Sequence, residues 1–198
     1  AGQARLTGPQ PGQAVLSWQP VRYTQGSQGA LRLLSQGELK GLPLAWANAF
    51  EMDGQPALAR LGVAGDLLLD GAWDIDAGDT LRAHASVRRA NGDLRILLAD
   101  AAPATVVHSS GQGQGAQAPQ PAAAPGTPAG LRAAEVRIDA EGDTLRARVQ
   151  WDSERAGQVQ AEGSTRLAQA GGGWLWPEDA PLAAHVRSEL PDVGAWSA

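Results

Sequence analysis

The chain has 198 residues, 43% of them hydrophobic, no cysteine and a net charge of −5. This length suffices for one domain with a real core or for two small lobes, and no apolar run approaches the roughly 18 residues of a membrane-spanning helix. The lack of cysteine excludes disulfides, thiol catalysis and cysteine-ligated zinc within this chain. Its arginines are interleaved with acidic residues instead of forming a basic stripe, so we predict no nucleic-acid partner.

The first clear strands lie between positions 65 and 98. From 65 to 76, apolar residues and glycine alternate with aspartate, and a second alternating run follows the turn at 76–79. Alternation with a period of two is typical of half-buried strands. The dipeptide Asn91-Gly92 favours a two-residue hairpin, because both residues tolerate the positive φ that such a turn requires. Alternation at 94–98 then predicts a third strand, and the three strands together predict an antiparallel meander.

A repeated phrase marks a second copy of this unit. GDTLRA occurs at 78–83 and again at 142–147, each time between an acidic turn and an alternating run. In the second copy a strand leads into the turn at 139–143, a second strand continues to 152, and a turn near 154–157 returns the chain towards 167. The repeat therefore predicts a strand–turn–strand unit that is used more than once.

Two Leu-Pro dipeptides, at 42–43 and 190–191, each end a short strand and precede a tryptophan. Proline is favoured at the first helical position, where its missing N–H has no partner in any case. The two dipeptides predict short helices near 43–50 and 191–198.

The segment 109–130 separates the two copies and consists largely of Gly, Gln, Pro and Ala. Such a composition buries too little apolar surface to offset the entropy cost of ordering, so we predict a disordered insertion. The chain then divides into a first β-repeat region at 1–108, this insertion, and a second β-repeat region at 131–198.

Residues that could do chemistry are few. Phosphate-binding, nucleophile-elbow, zinc-protease and EF-hand motifs are all absent from the sequence. The acids at 74, 76 and 79 resemble a calcium cluster, but a similar set at 139, 141 and 143 occupies the matching turn, which favours turn conformation over metal binding. We predict that the chain is not an enzyme, and we assign it no cofactor, no metal site and no catalytic residue.

The alternating strands give the predicted sheet one apolar face made of Ala, Gly, Leu, Val and Trp. Two such faces could pack together as a closed sandwich, or one sheet could curl around an open apolar groove. Alternation by itself does not choose between these two forms. Exposing the face to water costs about 25 cal/mol per Å², so an open groove implies an apolar occupant.

Seven phrases occur in a specific order and spacing: AGDLLL at 64–69, WDI at 73–75, GDTLRA at 78–83, GDL at 92–94, WDSERAG at 151–157, WLWP at 174–177 and LPDVGAW at 190–196. Together they resemble the TamB family, which belongs to the AsmA-like proteins of Gram-negative envelopes. The resemblance covers roughly residues 30–198 and is densest in the second half, whereas the segment 109–130 departs from the family and resembles a lineage-specific insertion.

Membership of this family implies an internal piece of a long periplasmic protein that an N-terminal helix anchors in the inner membrane. It implies an elongated, curled all-β sheet with an apolar groove, and a TamA-like outer-membrane partner of the Omp85 type. TamB-like proteins are implicated in moving phospholipid towards the outer membrane and in assembling outer-membrane proteins. Either phospholipid acyl chains or the strands of a client β-barrel are therefore expected as cargo. The expected groove residues are Leu67, Leu69, Trp73, Leu81, Val87, Leu145, Val149 and Trp151.

Two hypotheses outside the family remain open at this stage. One is a closed structural or adhesive β-domain of a secreted repeat protein, which requires a packed core without a pocket. The other is a carbohydrate-binding sandwich, which requires two or three coplanar tryptophans on an exposed face.

Overall fold

The computed structural model describes residues 1–25, 31–97, 126–170 and 173–190. Strands dominate these residues, with one 3₁₀ helix at Leu44–Ala49 and one short helix, α1, at Ala57–Arg60. The strands are β1 (Gly2–Thr7), β2 (Gln13–Trp18), β3 (Arg22–Gln25), β4 (Leu31–Pro43), β5 (Glu51–Met52), β6 (Gln55–Pro56), β7 (Val63–Gly65), β8 (Leu68–Ala77), β9 (Leu81–Asn91), β10 (Leu94–Ile96), β11 (Thr127–Pro128), β12 (Leu131–Glu141), β13 (Thr144–Ser153), β14 (Gly157–Arg166), β15 (Ala168–Ala170), β16 (Gly173–Leu175) and β17 (Ala183–Glu189).

One large antiparallel sheet organises the fold. Its strand order is β1-β2-β4-β8-β9-β12-β13-β14-β17, and β3 adds to one half of β4. The first and last strands of this order do not pair with each other in the described part of the chain, so the sheet is open and not a barrel. Neighbouring strands lie about 4.8 Å apart, so these nine strands span about 38 Å. The predicted all-β meander is confirmed.

Both copies of the repeated phrase belong to this sheet. The first copy forms the turn and start of β9 in the hairpin β8–β9, and the second does the same for β13 in the hairpin β12–β13. The two hairpins are neighbours, because β9 pairs with β12. The turns also touch directly: the N–H of Gly142 donates to the carbonyl of Leu81 at 2.8 Å. The repeat thus extends one sheet by a second hairpin.

Three neighbouring strands bend at the same level of the sheet. The strands β7, β10 and β11 form a small sheet in the order β11-β10-β7, and they are continuations of β8, β9 and β12, which neighbour each other in the same order. A glycine with positive φ lies at each break: Gly65 at 139°, Gly92 at 79° and Gly130 at 67°. Only glycine adopts these conformations readily, so the sequence places the bend on all three strands at once.

Asp93 joins these strands at the bend. Its carboxylate accepts the backbone N–H groups of Leu131 at 2.8 Å, Gly130 at 2.9 Å and Leu94 at 2.8 Å. Burial raises the pKa of Asp93, but these three N–H groups, with the charge of Arg89, outweigh burial and hold the pKa below its ordinary value. The ionised carboxylate therefore stabilises the bend.

The prediction of a hairpin at Asn91-Gly92 is wrong. Gly92 has the positive φ that was expected, but the chain runs on into β10, which pairs with β7 and β11 instead of folding back on β9. The side chain of Asp66 accepts the N–H of Asp93 at 2.9 Å and fixes this direction. A positive φ is compatible with a bend as well as with a hairpin. Here the pairing of β10 with β7 and β11 produces the bend.

The helix predicted near 43–50 is confirmed, as the 3₁₀ helix Leu44–Ala49 that follows Pro43. The helix predicted at 191–198 lies outside the described residues, and so do Leu98, the last residue of the predicted third strand, and most of the predicted insertion at 109–130. The end of that insertion is described: residues 127–128 form β11. Within the described ranges, no helix has the length and apolar character needed to cross a membrane.

Candidate functional site

The large sheet has one apolar and one polar face. Residues directly opposite each other on paired strands share a face, and the register places one uninterrupted apolar row across the whole sheet. This central row consists of Ala4, Leu16, Leu39, Gly71, Val87, Val136, Val149, Ala161 and Val186. Aliphatic side chains and glycine thus line a continuous path perpendicular to the strands.

The middle of this face is open to solvent. The exposed fraction is 46% for Val87, 41% for Val136 and Ile138, and 38% for Val149. Single exposed apolar side chains are ordinary, but a contiguous group on neighbouring strands marks a surface that binds something apolar. These four residues make the centre of the face the candidate site.

The face is closed where the strands meet the turns at 78–80 and 142–143. Leu81, Ala140 and Thr165 are buried at this end. The hairpin β15–β16 lies here, and the indole Nε1–H of Trp174 donates to the carbonyl of Gly78 at 3.0 Å. The hairpin therefore limits the open surface in the strand direction.

The opposite end of the strands is closed by the bend. Leu67, Leu131 and Ser153 are buried there, together with Leu58 of α1. The hydroxyl of Ser153 donates to the carbonyl of Ala129 and accepts the N–H of Ala156, so this buried polar group is satisfied. With both strand ends closed, the open surface runs across the strands, towards β1 and β17.

Tryptophans lie over glycines in the row next to the central one. Gly2, Trp18, Gly37 and Trp73 follow each other across β1, β2, β4 and β8. A Cβ atom on Gly2 would clash with the indole of Trp18, and one on Gly37 would clash with that of Trp73. Each indole therefore packs on the backbone of the neighbouring strand. The side of the sheet near β1 is filled by aromatic rings, and the side near β17 by small and β-branched residues.

Seven of the eight predicted groove residues lie on the apolar face. Val87 and Val149 belong to the central row, and the remaining five lie on rows beside it: Leu69, Trp73, Leu81, Leu145 and Trp151. Leu67 precedes β8 and is buried at the bend, and Leu81 is buried at the turn end. The structure therefore brings seven of the eight predicted residues together on one face but leaves only part of that set open.

Sequence analysis missed three exposed members of this face. Val136 and Ile138 lie between β9 and β13, and Val186 continues the central row on β17 with 64% of its surface exposed. The alternation of β12 was a signal for the first two. Sequence analysis also missed Arg89, which directly opposes Leu69 and so lies on the apolar face.

The polar face carries ion pairs between strands. Arg32 donates to both oxygens of Asp76, at 2.8 and 2.7 Å, and this hydrogen bond holds the pKa of Asp76 below its ordinary value. The imidazole of His84 lies 2.7 Å from Asp139. Because solvent screens exposed pairs, these interactions contribute little to stability.

Metal-binding groups do not converge in the described ranges. No set of three or more histidine or acidic side chains there could hold an ion. Asp76 and Asp139, which belong to the two acidic turns, pair with Arg32 and His84 instead. His185 is exposed on β17.

The described chain is thus an open antiparallel sheet with one solvent-facing apolar surface. Comparisons of the chain with protein-family models, curated proteins and solved structures found no match in any of the three. What the apolar face binds must therefore be inferred from its own residues and geometry.

Proposed function

We propose that this chain is a periplasmic bridge segment of a TamB-like protein, in which the apolar face carries phospholipid acyl chains between the inner and outer membranes. The observation that carries the proposal is the exposed apolar group of Val87, Val136, Ile138 and Val149 at the centre of an open sheet. The sequence phrases that resemble the TamB family support it independently. The expected partner of the full-length protein is a TamA-like outer-membrane barrel of the Omp85 type.

Acyl chains fit this surface better than a peptide does. The central row offers only aliphatic side chains and glycine, so it supplies no side-chain donor or acceptor for a peptide backbone, which needs such partners when it leaves water. A hydrocarbon chain has no polar group to satisfy, and it gains about 25 cal/mol for each Å² that it removes from water. Because the path crosses the strands, each added hairpin lengthens it.

A closed structural or adhesive domain and a carbohydrate-binding sandwich are the alternatives. Both require a second sheet packed on the apolar face, which would bury its centre. In the described residues Val87 and Val136 remain more than 40% exposed, and this exposure favours the open groove.

A second function within the same family is supported by the edge of the sheet. All seven residues of β17 are exposed, and in the described chain β17 pairs only with β14. An unpaired edge is a template for strand addition, in which main-chain hydrogen bonds supply the affinity. The strand of a client outer-membrane barrel is the expected occupant of this edge.

Site-specific photo-crosslinking tests the proposal. A photoreactive residue replaces Val149 in the full-length protein, living cells are irradiated, and the adducts are identified by mass spectrometry. The matched control is Gln150, the next residue of β13, whose side chain lies on the polar face. We expect phospholipid adducts at position 149 and none at position 150.

Other outcomes contradict the lipid proposal in different ways. Adducts to outer-membrane proteins alone, strongest from positions on β17, would assign the chain to client assembly. A complete lack of adducts at position 149 would indicate that the face is covered in the full-length protein, as in a closed structural domain.

A further inference from the structure

One charged side chain lies on the apolar face. Among the face positions of the nine paired strands in the described residues, Arg89 alone carries a charge. It follows Val87 by two residues on β9, so its side chain leaves the sheet about 7 Å from the central row. A charge next to an exposed apolar surface costs free energy unless it has a partner, so its position requires an explanation.

The hydrogen-bond partners of Arg89 are neutral carbonyl groups. Its Nε–H donates to the carbonyl of Gly92 at 2.9 Å, and Nη1 donates to the carbonyl of Arg132 at 3.3 Å. These bonds use two of the five N–H groups of the guanidinium. No carboxylate of the described residues forms an ion pair with it. Carbonyl groups hold the side chain in place, and no direct ion pair within the described residues neutralises its charge.

Burial and three backbone N–H groups are the main causes that set the pKa of Asp93, and the positive charge of Arg89 also lowers it. The carboxylate of Asp93 already accepts three backbone N–H groups, from Leu94, Gly130 and Leu131. Its oxygens are therefore committed to the bend. Arg89 keeps N–H groups for an external anion.

We propose that Arg89 binds the phosphate of a phospholipid whose acyl chain lies on the central row, an inference that rests on the function proposed above. Guanidinium groups recognise phosphate oxygens with paired, charge-assisted hydrogen bonds. The headgroup then lies beside β9, and the chain runs from Val87 over Val136 and Val149 towards β17.

The distances agree with this arrangement. From Val87 to Ala161 the central row crosses three strand intervals, which is about 14 Å. Half the thickness of the hydrocarbon core of a bilayer, the depth that one acyl chain fills, is about 15 Å. One acyl chain with its phosphate at Arg89 thus covers the exposed valines.

The test compares two lipids that differ only in their headgroup. Delipidated full-length protein is titrated, at one ionic strength, with a monoacyl glycerophosphate and with the monoacylglycerol of the same chain. Charge-assisted hydrogen bonds contribute enough that wild type should prefer the phosphate-bearing lipid about 10- to 100-fold. Arg89→Gln should abolish this preference and leave the affinity for monoacylglycerol unchanged, whereas Arg89→Lys, which keeps the charge, should retain part of it.

Arg88→Gln is the matched control, because Arg88 is the preceding residue on β9 and lies on the opposite face, 3.9 Å from Asp70. It should keep the full preference. An unchanged preference in Arg89→Gln, or an equal loss of affinity for both lipids, would overturn the assignment of Arg89. Effective competition by inorganic phosphate alone would overturn it too, since it would indicate a site for free phosphate.

The same titration distinguishes a failure of the proposed function from a failure of the role assigned to Arg89. If wild type binds neither lipid, no acyl chain occupies the central row, and both proposals fall. If wild type binds both lipids equally, the acyl-chain site stands and only the role of Arg89 is contradicted. The thermal unfolding midpoint of each variant is measured alongside, so that a lost hydrogen bond to Gly92 or Arg132 is not mistaken for lost binding.

Discussion

The carboxylate of Asp93 accepts the backbone N–H of Leu131 at 2.8 Å, although 38 residues separate the two in the chain. This bond joins the turn after β9 to the first residue of β12. It links the two β-repeat regions across the segment that separates them, and it lies where three strands bend together. The bend closes one end of the apolar face, so the side chain of Asp93 helps to determine how much of that face stays open.

Replacing Asp93 by alanine should therefore destabilise the fold. Three backbone N–H groups lose their charged acceptor, and we expect the free energy of unfolding at pH 7 to fall by about 2 kcal/mol. Urea unfolding measures this change. Asp79→Ala in the exposed turn between β8 and β9 is the control, and it should unfold like wild type.

The contribution of Asp93 should also depend on pH. Its pKa in the folded state is lower than in the unfolded chain, so ionisation favours the folded state above the unfolded value of about 4. This stabilisation is lost as the pH falls through the pKa of the folded state. The difference between wild type and Asp93→Ala should be largest near pH 7 and shrink towards pH 2; a constant difference would contradict a role for the charge.

Two buried hydroxyl groups should respond to mutation with opposite signs. Ser153 donates to Ala129 and accepts from Ala156, whereas Thr165 Oγ1 is buried and has no partner among the described residues. Removing a hydrogen-bonded hydroxyl leaves its buried partners without a hydrogen bond, which destabilises the folded state. Removing a buried hydroxyl that has no hydrogen bond removes a destabilising group instead. We expect Ser153→Ala to lower the free energy of unfolding by about 1–2 kcal/mol and Thr165→Val to raise it by about 1 kcal/mol. Thermal unfolding measures the stability of both variants. A loss of stability in Thr165→Val would show that the hydroxyl of Thr165 has a hydrogen-bond partner.

Gly37 on β4 and Gly163 on β14 both belong to the row next to the central one, but they should differ in their tolerance of alanine. A Cβ on Gly37 would overlap the indole of Trp73 and approach the carbonyl of Ser17 at 2.7 Å. On Gly163, four strands beyond Trp73, the nearest atom would be 3.7 Å away. Gly37→Ala should cost about 1–3 kcal/mol through overpacking, and Gly163→Ala should be close to neutral.

The indole packing gives this prediction an internal check. The total tryptophan fluorescence, to which Trp73 contributes with the other six tryptophans, should shift towards that of exposed tryptophan in Gly37→Ala and remain unchanged in Gly163→Ala. Equal stability losses in the two variants would indicate that the indoles do not pack on glycine.

The alternation of apolar and polar residues predicted the faces correctly where strands are long. In β9 and β13 the alternation of Leu81 to Val87 and of Leu145 to Trp151 fixes which side chains share a face, since a slip of one residue would expose them all. The bend was not predictable in this way. Gly92 permits either a hairpin or a bend, and the choice depends on Asp93 and its partners near residue 130. The burial of single residues could not be predicted from the alternation either, because it depends on contacts with distant parts of the chain. Leu67 fits the period of β8, but it is buried at the bend and does not face the groove.

The last prediction separates binding from folding on the apolar face itself. Val136 and Val149 are directly opposite each other and about 40% exposed, so they contribute less to stability than fully buried valines, which contribute about 1.5–3 kcal/mol each. The double replacement by asparagine should cost the fold only about 1 kcal/mol, yet it puts two amide groups in the path of an acyl chain. We expect the amount of phospholipid that copurifies with the full-length protein to fall severalfold, as measured by mass spectrometry.

The control replaces Arg137 and Arg148 by glutamine. These two arginines form the adjacent pair on the polar face of the same strands. If the control loses as much lipid as the valine variant, the lipid does not depend on the apolar face, and the central row is not its path.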